Sequence, residues 1–247
     1  MVAENEIDFG YERIQKKEKA ERVKSLFRNV ASKYDLMNDL MSGGLHRIWK
    51  HEFAKALPYR GGNTYLDVAG GTGDIATLIL KNLEKYGLQG RVIISDINEG
   101  MLEEGLRRAP NLSLDWTCGD AESLPFPDNF MDVYTIAFGL RNVTDKNKAL
   151  QEAFRVLKPG GKFYCLEFSK VRDCLSPFYD LYSFKIVPKI GRIVAQDENA
   201  YRYLVESIRM FPNQETLKSM IENAGFQATS YKNLSQGIVA IHEGRKG

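Results

Sequence analysis

Residues 64–80 read TYLDVAGGTGDIATLIL, and the fold turns on them. An apolar run over 64–69 enters the turn Gly70-Gly71-Thr72-Gly73, and an amphipathic stretch over 74–86 leaves it. Glycines between a strand and a helix let the backbone come close to a ligand, while the helix start offers free N–H groups. The same alternation repeats downstream. Apolar runs over 91–97, 112–118, 132–138 and 162–168 predict strands, and 99–108 and 145–157 predict the helices between them. Near-continuous apolar strands alternating with helices indicate a parallel, doubly wound sheet. A helix over 214–224 stops at Gly225, and strands over 226–234 and 238–243 close the chain around Ser235-Gln236-Gly237. So short a turn makes that last pair antiparallel. Upstream, 11–28 and 45–57 read as helix, and the first sixty residues are expected to be helical.

The predicted fold is therefore α/β: a Rossmann-like, mostly parallel seven-stranded sheet with an antiparallel C-terminal hairpin and helices on both faces. Four segments follow: an N-terminal helical cap (1–60), a cofactor-binding core (61–169), an inserted helical lid (170–212) and the closing helix and strands (213–247).

Composition narrows the function. The 247 residues carry 34 Lys plus Arg against 32 Asp plus Glu, a net charge of +2. That balance provides no broad field for nucleic-acid phosphates, so no nucleic-acid partner is expected. Cys118, Cys165 and Cys174 form no CxxC pair, which argues against a disulfide framework and a zinc site; no metal is expected. The first ten residues, MVAENEIDFG, lack the apolar core of a signal peptide. No run approaches the roughly 18 apolar residues of a spanning helix. The expectation is a cytoplasmic protein able to touch a membrane surface.

Acids mark the cofactor. About two dozen residues after the glycine turn the second strand ends at Asp96, placed to accept hydrogen bonds from both hydroxyls of a ribose. Gly71 and Thr72 lie in the turn itself, and Asp67 precedes it. Gly71-Thr72-Gly73-Asp74-Ile75-Ala76 also satisfies a dinucleotide-binding pattern, so a dehydrogenase competes. Asp74 at the helix start would repel a pyrophosphate and tolerate a cationic sulfonium with an amino-acid tail, and Asp67 suits an ammonium group. Helix capping and loop chemistry explain the same acids without a ligand. After the third strand, Asp120 and Ala121 offer a carboxylate and a backbone N–H to an adenine ring, or Asp120 caps the next turn.

These residues resemble the class I S-adenosylmethionine methyltransferases. Asp67–Asp74, Asp96, Gly119-Asp120-Ala121 and residues 155–161 (RVLKPGG) stand at four motifs of that superfamily, with Ala69 in place of its usual first glycine. The likeness is closer to the ubiquinone/menaquinone biosynthesis C-methyltransferases. It rests on residues 30–35 (VASKYD), 37–42 (MNDLMS), 66–74, 138–146 (FGLRNVTDK) and 201–209 (YRYLVESIR), and extends over about 20–243. Ala137 replaces a serine common before the long central signature. The resemblance implies S-adenosylmethionine as cofactor and a polyprenylated hydroquinone as substrate, methylated at a ring carbon. The acceptor is a methoxy-polyprenyl-benzoquinol or demethylmenaquinol. A homodimer or membership of a quinone-biosynthesis complex stays open.

Ring methylation needs a phenolate, and the ordinary phenol pKa of about 10 makes stabilising it the useful service. Arg141 is expected to hold that phenolate and Asn142 to orient it, at the carboxyl end of the fourth strand. Arg141 stays protonated and is no literal base unless water intervenes. Tyr34 is a third candidate, for ring or cofactor contact or as a packing anchor. His46 offers a proton relay or a packing role. Residues 170–192, with five basic residues against two acids and a dense aromatic cluster, read as a lid over the quinol that rests on anionic lipid at the inner membrane face, or as a helical or dimer surface.

Overall fold

The computed structural model describes residues 6–30, 39, 42–172 and 198–247. A small hairpin, β1 (Glu6–Phe9) and β2 (Glu12–Gln15), leads into α1 (Lys16–Val30) and α2 (Leu45–Ala56). The central layer follows as β3 (Thr64–Val68), α3 (Asp74–Lys85), β4 (Arg91–Asp96), α4 (Glu99–Arg108), β5 (Asp115–Cys118), β6 (Met131–Ala137), α5 (Lys146–Val156) and β7 (Leu157–Phe168). The chain closes with α6 (Glu198–Met210), α7 (Gln214–Asn223), β8 (Gln227–Leu234) and β9 (Val239–Arg245).

The main sheet has seven strands in the order β5-β4-β3-β6-β7-β9-β8. The first five run parallel, and β9 inserts antiparallel between β7 and β8, pairing Lys162 with Arg245 through Phe168 with Val239. The seven-stranded, mixed architecture is the one expected. The start of the chain is not. The first sixty residues read as helix, yet residues 6–15 form a hairpin turned at Gly10 (φ +63°). Its strands are four residues long and each carries two charged residues, so their charge density mimics a solvated helix. The period-two signal rests on Ile7 facing Ile14, of which Ile14 is buried.

The strands alternate between two cores. Leu66, Val68, Tyr134, Ile136 and Phe163 face a cluster with α5 and α7. Tyr65, Val133, Ile94 and Leu166 face another, with Trp49 and Phe53 of α2 and Ile75 and Ile79 of α3. The strand pleat puts Asp67 on the second face with Tyr65, where an apolar side chain would be expected.

Candidate functional site

The carboxyl ends of β3, β4, β5 and β6 open on one edge, at the point where the strand order reverses between β3 and β6. A cleft of about 830 Å³ lies along that edge. Gly71, Asp96, Asp120, Ala121 and Asn142 line it, and α1 covers it with Ala20 and Val23. Five of the nine expected site residues therefore meet in one place.

The turn after β3 explains the local sequence. Gly73 sits at φ +85°, and a Cβ there would lie 2.8 Å from the Trp116 ring. Only glycine meets both constraints. Ala69 itself adopts φ +52° and Phe138 φ +56°, so two non-glycine residues hold left-handed backbone at the rim of the cleft. Such strain collects where a ligand is bound. The Asp96 carboxylate receives the Gly71 N–H (2.9 Å) on Oδ2 and the Asn98 N–H (2.8 Å) on Oδ1. Two lone pairs remain for a ribose diol. Burial raises its pKa. Asp120 caps its turn, its Oδ1 accepting from the Glu122 N–H (2.9 Å), and the residue also lines the cleft.

Asp67 and Thr72 are buried and do not line the cleft. Asp67 Oδ1 accepts from the Thr135 hydroxyl at 2.8 Å, and Oδ2 is buried without a hydrogen-bond partner. Burial first, then the nearby Asp74 and Asp96 charges, push the carboxyl up to about 7 against the opposing Thr135 hydroxyl and the backbone N–H of Ala76. A Cβ on Gly70 would lie 2.9 Å from the orphaned oxygen, which places Oδ2 directly behind the glycine turn. An orphaned carboxylate oxygen behind the turn, a two-oxygen acceptor at Asp96 and a left-handed glycine between them fit an amino-acid-bearing nucleoside.

Asp74 departs from its expected role. Its carboxylate is paired with Lys50 of α2 at 2.5 Å in a separate groove with His46 and His51. An acid so neutralised is no electrostatic barrier to a dinucleotide's pyrophosphate. His46 lies in the same groove, Nε2 to Asp39 Oδ1 at 2.7 Å, with burial lowering its pKa. Tyr34 lies outside the described residues.

Arg141 faces away from the cleft. Its Nη1 donates to Glu167 Oε1 (3.1 Å) and to the Phe138 carbonyl, and its backbone N–H donates to Glu167 Oε2 (3.2 Å). The guanidinium is buried, and Nε has no partner. It lines a second cavity of about 370 Å³ together with Lys19, Lys146 and Tyr203. Tyr203 Oη donates to Asn142 Oδ1 at 3.2 Å, so Asn142 stands between the two spaces. Sequence reading missed Lys19 and Lys146. The available signal was that Lys19 falls one turn before Val23, on the apolar side of an otherwise charged helix.

Comparison with known proteins closes the argument. The profile of the ubiE/COQ5 methyltransferase family matches residues 15–246. The ubiquinone/menaquinone biosynthesis C-methyltransferase UbiE of Rickettsia bellii (strain OSU 85-389) is 53% identical over 98% of this chain and 99% of its own length. The protein of the same name from Chromobacterium violaceum is 53% identical over 96% and 97%. In fold, an S-adenosylmethionine-dependent methyltransferase of Thermotoga maritima matches 90% of this chain and 99% of its own at a TM-score of 0.60 and 20% identity. Sequence, topology and cleft agree: the chain belongs to the ubiE/COQ5 methyltransferase family.

Proposed function

We propose that this protein transfers the methyl group of S-adenosylmethionine to a ring carbon of a polyprenylated hydroquinone, in ubiquinone biosynthesis, menaquinone biosynthesis or both. The observation that carries this is 53% identity over nearly the full length of relatives bearing that activity in their names. S-Adenosylmethionine supplies an electrophilic methyl on a sulfonium. Asp96 takes the ribose hydroxyls, Asp120 and Ala121 take the adenine, and Asp67 Oδ2 draws the ammonium toward the glycine turn where Gly71 and Thr72 sit. Asn142 orients the quinol. Its Oδ1 accepts from Tyr203, which leaves the amide N–H groups to donate to a quinol oxygen. Val23, Ala137 and Phe138 give the cleft apolar walls that exclude water, which strengthens each of these contacts. Arg141 braces the 138–142 turn through Glu167, and Tyr34 reaches the ring or cofactor from the N-terminal segment.

The substrate is a lipid, and contact with the inner face of a membrane through residues 170–192 forms part of the same reading. Its support is the basic and aromatic composition of that segment, of which 173–192 lie outside the described residues. No helix among the described residues is long and apolar enough to cross a membrane. The deciding experiment expresses this chain in a bacterium lacking its own quinone C-methyltransferase and profiles quinones by mass spectrometry. Restored ubiquinone, menaquinone or both assigns the branch, and accumulation of the demethylated precursors alone refutes the reading.

A further inference from the structure

Two lysine amines and the Asp8 carboxylate line the second cavity. Lys19 of α1 is 3% exposed and, like Lys146 at the start of α5, makes no hydrogen bond or ion pair with any described residue. Burial and the Lys146 charge lower the Lys19 pKa to about 8, partly offset by Asp8 and Glu122. Burial lowers Lys146 as well, against Glu167, Asp8, Asp145 and Glu122. Asp8 lines the same cavity, yet neither amine is in direct contact with a carboxylate; two like charges so desolvated oppose folding, and an anion held between them offsets that cost. The Arg141 guanidinium is tied to Glu167 and the Phe138 carbonyl, so the lysines are the cations left for a ligand.

The N-terminal hairpin and α6 form walls of this cavity. Phe9 stacks on Tyr203 at 4.2 Å, and the Tyr11 N–H donates to Glu206 Oε2 at 3.0 Å, fastening the β1–β2 hairpin over α6. The cavity also shares walls with the cofactor cleft. Helix α1 presents Ala20 and Val23 to the cleft and Lys19 to the cavity. Asn142 faces the cleft while its hydrogen-bond donor Tyr203 faces the cavity.

We propose that Lys19 and Lys146 form an oxyanion site for the ionised ring hydroxyl of the acceptor, with Lys19 as the group that takes its proton. The proposal rests on the quinol-methylation reading and assigns its missing cation and base. With Lys146 as the cation, the hydroxyl proton passes to the uncharged amine of Lys19, the form its lowered pKa makes accessible near neutral pH, and the electron pair stays on oxygen, shared with the ring carbon that accepts the methyl. After that carbon has taken the methyl and shed its own proton to water, the oxygen retakes the proton from Lys19. Each turnover releases one proton and leaves Lys19 as it began. Tyr203, its hydroxyl pushed up to about 12 by burial, stays a neutral donor throughout.

The test reads ionisation rather than turnover. 1-Naphthol, a phenol that does not cycle between oxidation states here, is bound to the full-length protein with S-adenosylhomocysteine, and its phenolate absorption is titrated. The wild-type complex is expected to ionise the bound phenol about 1 pH unit below the free compound, a tenfold shift. Lys19→Met and Lys146→Met should each return it toward the free value with unchanged S-adenosylhomocysteine affinity by calorimetry, and Lys19→Arg should retain most of the shift. The proposal is overturned if 1-naphthol fails to bind, if the wild type shows no shift, or if folded Lys19→Met keeps it. A wild type that shifts the phenol yet methylates no reduced quinone refutes the quinol reading instead and leaves the oxyanion site standing.

Discussion

At the scale of single residues, two positions show how the site is built against local preference. Asp67 occupies a strand position that faces an apolar core, and burial raises its carboxyl to about 7. The folded protein therefore holds a proton that the unfolded chain releases between about pH 4 and 7, and stability falls as pH rises through that window. Chemical denaturation at a series of pH values should show this as a negative slope of up to about 1.4 kcal/mol per pH unit, reduced in Asp67→Asn. The second position is Gly139. Its φ of −107° suits any residue, so the need for glycine is steric: a Cβ there would lie 2.5 Å from the Ala69 Cβ. Gly139→Ala should cost about 1–3 kcal/mol by overpacking. Adding Ala69→Gly should recover most of the loss in a thermal-denaturation cycle, since it removes the opposing methyl and a side chain at positive φ. The alanine that departs from the superfamily's glycine and the glycine of the FGLRN stretch thus explain each other.

At the scale of elements, the N-terminal hairpin is the piece whose removal separates local from global structure. It touches α1 and α6 rather than the main sheet, through Phe9 on Tyr203 and Tyr11 on Glu206. Deleting residues 1–15 should raise amide hydrogen exchange across residues 202–210 of α6 while leaving β3, β6 and β7 protected, because elements with few core contacts open independently. Loss of protection throughout the sheet would contradict this. The hairpin also marks the limit of what sequence alone makes legible. The inner strands β3, β4, β6 and β7 announce themselves because burial on both faces demands near-continuous apolar runs. A two-stranded hairpin half in water leaves only Ile7 and Ile14 as signal. Arg141 is a different case. Its place at a strand end was readable, but its direction depends on Glu167, which lies 26 residues away and only joins it when β6 and β7 pair. Asp74 is the same case, captured by Lys50 of α2.

At the scale of the whole molecule, the sheet order decides where chemistry happens. The reversal between β3 and β6 spreads their connections to opposite sides, and the gap becomes the cleft. Because Asp96 ends β4, Asp120 follows β5 and Asn142 follows β6, a ligand spanning the cleft ties together three strands and α1. Binding must therefore stabilise the folded state as a unit. At a concentration one hundred times its dissociation constant, S-adenosylhomocysteine should add about 2.7 kcal/mol. For a domain of this length that is a rise of roughly 5–10 °C in Tm. NADH is the informative control. The pairing of Asp74 with Lys50 removes the charge that would have repelled its pyrophosphate, so its exclusion rests on cleft shape and on the proposed ammonium contact at Asp67. If NADH at matched concentration gives the same rise, the cleft is a generic adenosine site and the sulfonium assignment fails. A rise confined to S-adenosylhomocysteine, and diminished in Asp96→Asn, places recognition in the amino-acid and ribose contacts together.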